Sequence, residues 1–348
     1  MTERLYLDWN ASAPLRPEAR AAMAAAMDLS GNPSSIHEEG RAARALVERA
    51  RIAVAEAVGA APDEVIFTSG ATEAATLALA GRDLVGAAIE HDCVAAWITP
   101  SLPVSADGRV AVADPGGSVL QAANSETGLV QDLPSGLALV DAAQIAGKLP
   151  FAFRWSGAEA AMLSAHKLGG PKGVGALVLR QGAEIAPVLR GGGQELGRRA
   201  GTENLVGIAG FGAAAAAAAA EMAAGRWQEV AEIRDSLEQA LAEAASETIF
   251  VGKDGRRLPN TSCVAVPGWK SEIQVMQMDL AGFAISAGSA CSSGKVRISR
   301  ALGAMGFGAE VAGCAIRVSI GPGTRREDVL AFAGAWEKCY RRFRQRAA

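Results

Sequence analysis

The stretch Val65-Ile66-Phe67-Thr68-Ser69-Gly70-Ala71-Thr72-Glu73 reads as a short apolar strand, a small-residue turn and the first turn of an Ala-rich helix. Four apolar or β-branched residues bounded by Ser-Gly suit a buried strand. Ser, Thr and Glu ahead of an Ala-rich run suit a helix N-terminus. Free backbone N–H groups at such a terminus favour an anion, phosphate above all. An ordinary capping box explains the same residues equally well.

Outward from this unit, strands and helices alternate. Residues 16–28 and 36–58 read as helices, the second ending at Gly59. Short apolar strands are predicted at Val85–Ile89, Ser118–Ala122, Leu137–Val140, Ala161–Ser164 and Gly175–Leu179. Residues 204–223 and 226–245 read as two helices broken at Gly225-Arg226. From about residue 246 the pattern becomes a smaller α+β unit. It has strands near 247–251, 261–266 and 315–320, a helix at 271–281, a loop at 286–296 and a final helix at 326–345. The expected fold is therefore α/β: a large domain (13–225) around a mixed, mostly parallel sheet flanked by helices, and a smaller α+β domain (226–348 with 1–12). Ligands of such sheets sit at the carboxyl ends of the strands, where several of these segments end in polar residues.

Composition narrows the function classes. The chain has 348 residues, half of them hydrophobic (50%), which is ample for a sizeable core. A net charge of -3 does not support nucleic acid or an anionic membrane as a main partner. The odd count of five widely spaced cysteines argues against a disulfide framework or zinc site and makes a reducing cytoplasm the default. The first ten residues, MTERLYLDWN, hold no signal-like apolar core. The uncharged run Leu205–Ala220 is Ala- and Gly-rich. It is expected to be a buried helix, too short and too weakly apolar to span a bilayer.

Five segments carry residues with chemical potential. Lys167 follows an apolar strand and precedes a Gly/Pro-rich turn, a place from which an amine can form a Schiff base with an aldehyde cofactor; a surface lysine fits too. Asp141 ends the strand before it, where a carboxylate can hold a pyridine nitrogen protonated; an N-cap is the plain alternative. Gln144, a few residues on, is placed to hydrogen-bond a ring hydroxyl. His91, one of only three histidines, ends another strand and suits stacking and proton transfer; an ordinary hydrogen-bonded polar residue is the plain and commoner alternative. Cys291 sits in the small-residue run Ser286–Lys295, better suited to a reactive thiol in a mobile loop than to a packed one. Arg317, inside an apolar strand, needs a partner: a substrate carboxylate or a structural ion pair.

The ordered set resembles the cysteine desulfurases of the class V aminotransferase family, within fold-type I pyridoxal-phosphate (PLP) enzymes. The matching stretches include GNPSSIHEEG (31–40), FTSGATEAA (67–75), IEHDCV (89–94), NSETGLVQD (124–132), VDAAQIAGKLP (140–150), LSAHKLGGPKGVGAL (163–177), GGGQELGRRAGTEN (191–204), SAGSACSSGK (286–295) and RVSIGPGT (317–324). The resemblance implies that Lys167 holds PLP as a Schiff base and that His91 stacks on the ring and assists proton transfer. Asp141 pairs with the pyridine nitrogen and Gln144 with the ring hydroxyl. Ala71, Thr72, Ser164 and His166 bind the phosphate, and Thr202 does so across a homodimer interface. Asn10, Asn124 and Arg317 bind substrate, Arg317 through its carboxylate. Cys291 takes sulfur from L-cysteine as a persulfide, leaving alanine, and hands it to an acceptor or iron–sulfur scaffold protein. The loop resembles that of the long-loop, iron–sulfur-cluster subgroup.

The sequence also departs from the family. Ser12-Ala13 stands where the family has Thr-Thr, and Ser125 where it has a second Asn. The stretches 91–124 and 124–141 are shorter than usual. A compact loop is expected in place of a helix in each, with apolar sheet surface uncovered as a result. The other readings are a selenocysteine lyase, another class V PLP enzyme, or a trimmed member that relays sulfur without catalysis.

Overall fold

The computed structural model describes residues 4–288 and 298–347. The chain opens with strand β1 (Leu5–Tyr6) and helices α1 (Pro17–Met27) and α2 (Glu38–Ala57). Strand β2 (Val65–Thr68) leads into α3 (Ala71–Leu79), then β3 (Val85–Ala87), the single turn α4 (Asp92–Ala95) and β4 (Thr99–Leu102). Strands β5 (Val119–Gln121) and β6 (Leu139–Asp141) precede α5 (Phe153–Ser156), β7 (Ala160–Ser164) and β8 (Gly175–Leu179). Long helices α6 (Leu205–Ala223) and α7 (Arg226–Ala244) follow. The rest comprises β9 (Ile249–Phe250), β10 (Thr261–Ala265), α8 (Ser271–Leu280), β11 (Phe283–Ala284), β12 (Ser286–Ala287), α9 (Arg300–Ala304), α10 (Ala309–Ala312), β13 (Ala315–Ser319) and α11 (Arg326–Ala347).

The central sheet runs β2-β8-β7-β6-β5. Strands β5, β6 and β7 are parallel, while β8 is antiparallel to both of its neighbours. A parallel bridge from Val85 to Ser118 carries the order on to β3 and β4, themselves parallel. This is the mixed, mostly parallel α/β sheet expected. The register places Thr68, Gly175 and Ser164 side by side at one edge, with Asp141 at the end of β6 nearby. A second sheet, β12-β13-β10-β9, packs under α7, α8 and α11.

Helix α2 is amphipathic: Gly40, Ala43, Val47, Ala50 and Val54 recur at helical spacing and are buried. His37 caps it by accepting from the Gly40 N–H. Helix α6 lies against α1 and α2 at very close range. A Cβ on Gly212 would stand 2.6 Å from the Ala50 Cα, so only glycine permits the approach. The α6 helix corrects one expectation. With 19 residues and a mean hydropathy of 1.6, it is long and apolar enough by composition to cross a bilayer. Its Ile208, Phe211, Ala214 and Ala215 nevertheless belong to the main core. The break before α7 falls at Gly225, in the left-handed region at φ 74°.

Most predicted elements appear with ends trimmed by a residue or two. The first part of the expected loop 286–296 is instead strand β12, paired to β13 through Ser286 and Ala287. Residues 289–297, which include Cys291, lie outside the described residues. The two shortened stretches do lack long helices. The expected uncovering of the sheet does not follow: Val119, Leu120 and Leu139 are wholly buried. Val110, Val112 and Leu133 from the compact loops pack on the main core, and Ala301 of α9 closes over Ala87 and Ile89. Loop side chains and the second subassembly supply the cover that helices would otherwise give.

Candidate active site

A cavity of about 430 Å³ opens at the carboxyl edge of the central sheet. It gathers Ala71, Thr72, His91, Asp141, Gln144, Ser164, His166 and Lys167 from four separate stretches of sequence. Each stands where a strand ends, so the register of the sheet sets their spacing.

Lys167 ends a 3-10 turn, Ala165–Lys167, directly after β7. Its Nζ donates to two backbone carbonyls, Asn10 at 2.7 Å and Ala11 at 3.1 Å, and to no carboxylate. Burial, with the Arg317 charge added, pulls its amine down from 10.5 to about 8. An amine so placed is far more often uncharged near neutrality than an ordinary lysine, as a nucleophilic lysine needs to be.

Asp141 is buried, with one oxygen accepting from the Ala143 N–H at 2.9 Å. Desolvation pushes its carboxyl upward, opposed by the Ala143 N–H and, among the described residues, by the charges of His91 and Lys167. Among the described residues no cation bonds it, which leaves room for an N–H donor from within the cavity. His91 caps α4; the Cys93 N–H donates to its Nδ1 at 3.2 Å, so the ring proton belongs on Nε2. Burial lowers His166 to about 4, with the charges of Lys167 and Lys172 adding to this, so its ring is neutral. Its Nδ1 lies 3.3 Å from Ser12 Oγ.

The N-terminus of α3 has no side-chain cap. Glu73 does reach back, but it accepts from the Ser69 N–H at 2.7 Å and pairs with Arg199 at 2.8 Å. It leaves the first-turn amides of Ala71 and Thr72 beside the cavity. The close approach there needs glycine twice: Gly70 has φ +155°, and a Cβ on Gly175 would meet the Gly70 Cα at 2.7 Å. Uncapped amides, a hydroxyl from Thr72 and another from Ser164 form an anion cradle. The cavity thus holds a phosphate cradle, a depressed lysine and a buried carboxylate, the three features a phosphorylated pyridine aldehyde requires. The residues fit PLP.

The expected substrate residues are placed differently. Arg317 is buried on β13, donating to Asp8 Oδ1 at 2.7 Å and to the Ser125 carbonyl at 2.9 Å, while its Nε–H is unpartnered. The ion pair weighed as its alternative partner therefore exists, and Asp8 was the half the sequence left unseen. Asn10 and Asn124 do not line the cavity. Asn10 is fully buried, bonding Thr261 Oγ1 at 2.8 Å through Nδ2, and its backbone carbonyl receives Lys167. Asn124 folds its own turn, its Oδ1 accepting from the N–H groups of Glu126 and Thr127. Thr202 is exposed and does not line the cavity. Sequence reading also missed Gln121, Cys93 and Lys172, which line the cavity. Cys93 sits two positions from His91, and burial pushes its thiol up to about 12, which makes it inert.

Comparison with known proteins bears on the family and the fold. The family described as Aminotransferase class-V matches residues 5–95 and 119–332, with the interruption falling on the compact stretch after α4. A protein named cysteine desulfurase from Cereibacter sphaeroides is 39% identical, covering 94% of this chain and 93% of its own. The cysteine desulfurase IscS of Dictyoglomus turgidum is 34% identical over 94% of this chain and 92% of its own. The crystal structure of a NifS-like protein from Rickettsia africae superposes with a TM-score of 0.88 at 29% identity, over 97% of this chain and 100% of its own.

Proposed function

The chain belongs to the class V aminotransferase family, and from that premise we propose a division of labour for a PLP-dependent cysteine desulfurase of fold type I. The observation that carries this reading is the meeting of Lys167, Asp141 and the uncapped α3 terminus in one cavity. When bound, PLP supplies a ring that takes up the electrons released as a bond at the substrate α-carbon breaks.

The protein's own residues do the rest. Lys167 holds the cofactor and, as a free amine, takes the Cα proton. Asp141 keeps a proton on the ring nitrogen. With the cofactor bound, His91 would stand beside the ring and, with its Nδ1 held by the Cys93 N–H, would move protons at Nε2. Thr72, Ser164, His166 and the Ala71 amide hold the phosphate, with Thr202 added from the partner subunit of a homodimer. Arg317 orients the carboxylate of L-cysteine; its unpartnered Nε–H supports this, since a buried donor without a partner is costly. Asn10 and Asn124 enter as buried supports of Lys167 and of the 124–127 turn. The Cys291 thiolate attacks the substrate sulfur: an S–S bond forms, the C–S bond breaks, and the three-carbon remainder leaves as alanine. Cys291 then passes the persulfide sulfur to an acceptor protein of cytoplasmic iron–sulfur cluster assembly.

A division of the chain near Gly225 accompanies this reading. The main core draws on residues 19–218 and Leu258, while another joins Leu7 to residues 227–340. The decisive assay measures alanine and sulfide from L-cysteine, with a reductant, for the parent, Lys167→Ala and Cys291→Ser side by side. Alanine from the parent alone is expected. Equal alanine from Lys167→Ala would overturn the reading.

A further inference from the structure

Lys148 is a buried lysine that the chemistry above does not use. It is 2% exposed. Its Nζ donates to Gln144 Oε1 at 2.8 Å and to Asn10 Oδ1 at 3.1 Å, both neutral amide oxygens. The charges that bear on it are the cations Lys167 and Arg317, and Arg317 is already paired with Asp8. Burial and those two cations hold its amine well below the ordinary lysine range. An uncharged amine has two N–H groups, and the site offers two acceptors, so the count closes.

The consequence concerns Gln144. A side-chain amide has two ends that differ in hydrogen bonding but hardly in shape. Lys148 presents N–H groups to it, so the oxygen must face Lys148. The Gln144 Nε2 then faces the other way, donating to the Asn10 carbonyl at 3.0 Å, and its second N–H is left for the cavity that Gln144 lines. The same Asn10 carbonyl receives Lys167. Lys148, Gln144, Asn10 and Lys167 therefore form one continuous chain of hydrogen bonds.

We propose that Lys148 is a positioning residue that locks the Gln144 amide with its N–H toward the cavity, so that a cofactor ring oxygen resting there is met by a donor and is held ionised. The inference rests on the PLP reading above. A donor at a ring oxygen favours its deprotonated form, so losing the donor raises the pH at which the bound chromophore titrates. Among the described residues, the other charged or titratable groups that line the cavity are Lys167, Lys172, Asp141, His91, His166 and Cys93, and none of them is altered in the test.

The test titrates the visible absorbance of the PLP-loaded protein against pH, for the parent and Lys148→Met, and measures PLP affinity by reloading stripped protein. In Lys148→Met the spectroscopic midpoint is expected to rise by about one pH unit, the size of one hydrogen bond to a charged group. In a Gln144→Leu background, the same Lys148→Met change is expected to move it no further. Lys148→Gln offers Gln144 either an oxygen or an N–H, so it carries the same expectation at reduced size should Lys148→Met fail to fold. A parent midpoint in whichever variant folds would overturn the proposal, as would an equal shift with Gln144 absent. A parent that binds no PLP would sink the functional reading as well, which separates the two failures.

Discussion

Replacing Arg317 by lysine separates a carboxylate fork from a plain ion pair. Arg317 spends one nitrogen on Asp8 at 2.7 Å and another on the Ser125 carbonyl at 2.9 Å, and keeps Nε–H free. The side chains of the pair are 8% and 16% exposed, so the charges interact with little water between them. A lysine ammonium at this position would be drawn to Asp8 and has no second arm with which to present N–H groups in a plane. The Ser125 carbonyl would not be orphaned, because Asn10 Nδ2 also donates to it at 3.3 Å. The fold is therefore expected to lose only about 1 kcal/mol. Substrate binding should lose far more. A hydrogen bond to a charged group is worth about 1.5–3 kcal/mol, which at roughly tenfold per 1.4 kcal/mol is about a 10- to 150-fold fall in kcat/KM. The loss should sit in KM for L-cysteine, because the carboxylate is bound before and throughout the reaction. Initial rates of alanine formation across a range of L-cysteine, with thermal melts alongside, read both effects. An unchanged KM in a protein of near-parental stability would show that Arg317 and Asp8 serve the fold alone.

Other outcomes follow from the same geometry. Lys167→Ala should remain folded, since its amine bonds only the Asn10 and Ala11 carbonyls, yet lose the visible absorbance of lysine-linked PLP; a retained band would refute its role. Cys291→Ser should keep that band and lose the protein-bound persulfide; full cysteine desulfurisation by this variant would count against Cys291 as the acceptor. Lys167, pulled to about 8, should give a PLP-loading rate that climbs as pH rises toward 8 and levels off above it; a rate still climbing toward 10 would contradict this. His166 is lowered to about 4 from 6.5. Between those values the unfolded chain binds the extra proton, so stability should fall as pH drops through that window. His166→Gln should flatten that slope in denaturant titrations, and an unaltered slope would show that the depression is absent.

Much of this was legible in one dimension because it depends on short-range pattern. The Ser-Gly turn after Val65–Thr68, the period of α2 and the break at Gly225 are local facts of backbone sterics and burial, and they fold as read. Lys167, Asp141 and His91 were visible because each ends an apolar strand, and strand ends of an open α/β sheet converge on one edge. The covering of the shortened stretches was not visible, because Val110 and Leu133 reach the sheet from loops with no period to betray them and Ala301 from a short helix far along the chain.

The sequence by itself determined the fold class and the family, since strand, turn and helix signals act over a few residues, and it singled out Lys167, Asp141 and His91, which the fold brings to one cavity. Tertiary structure alone decided the partners. Asp8 and Arg317 are 309 residues apart, and Asn10 meets Lys148 and Lys167 only because the segment after the N-terminal strand, whose Ala11 and Ser12 line the cavity, runs beside them. Hydrogen bonds and desolvation depend on distance in space, so one lysine, at 167, lies against backbone carbonyls beside the cavity with its amine lowered to about 8, while another, at 148, is buried between two side-chain amide oxygens.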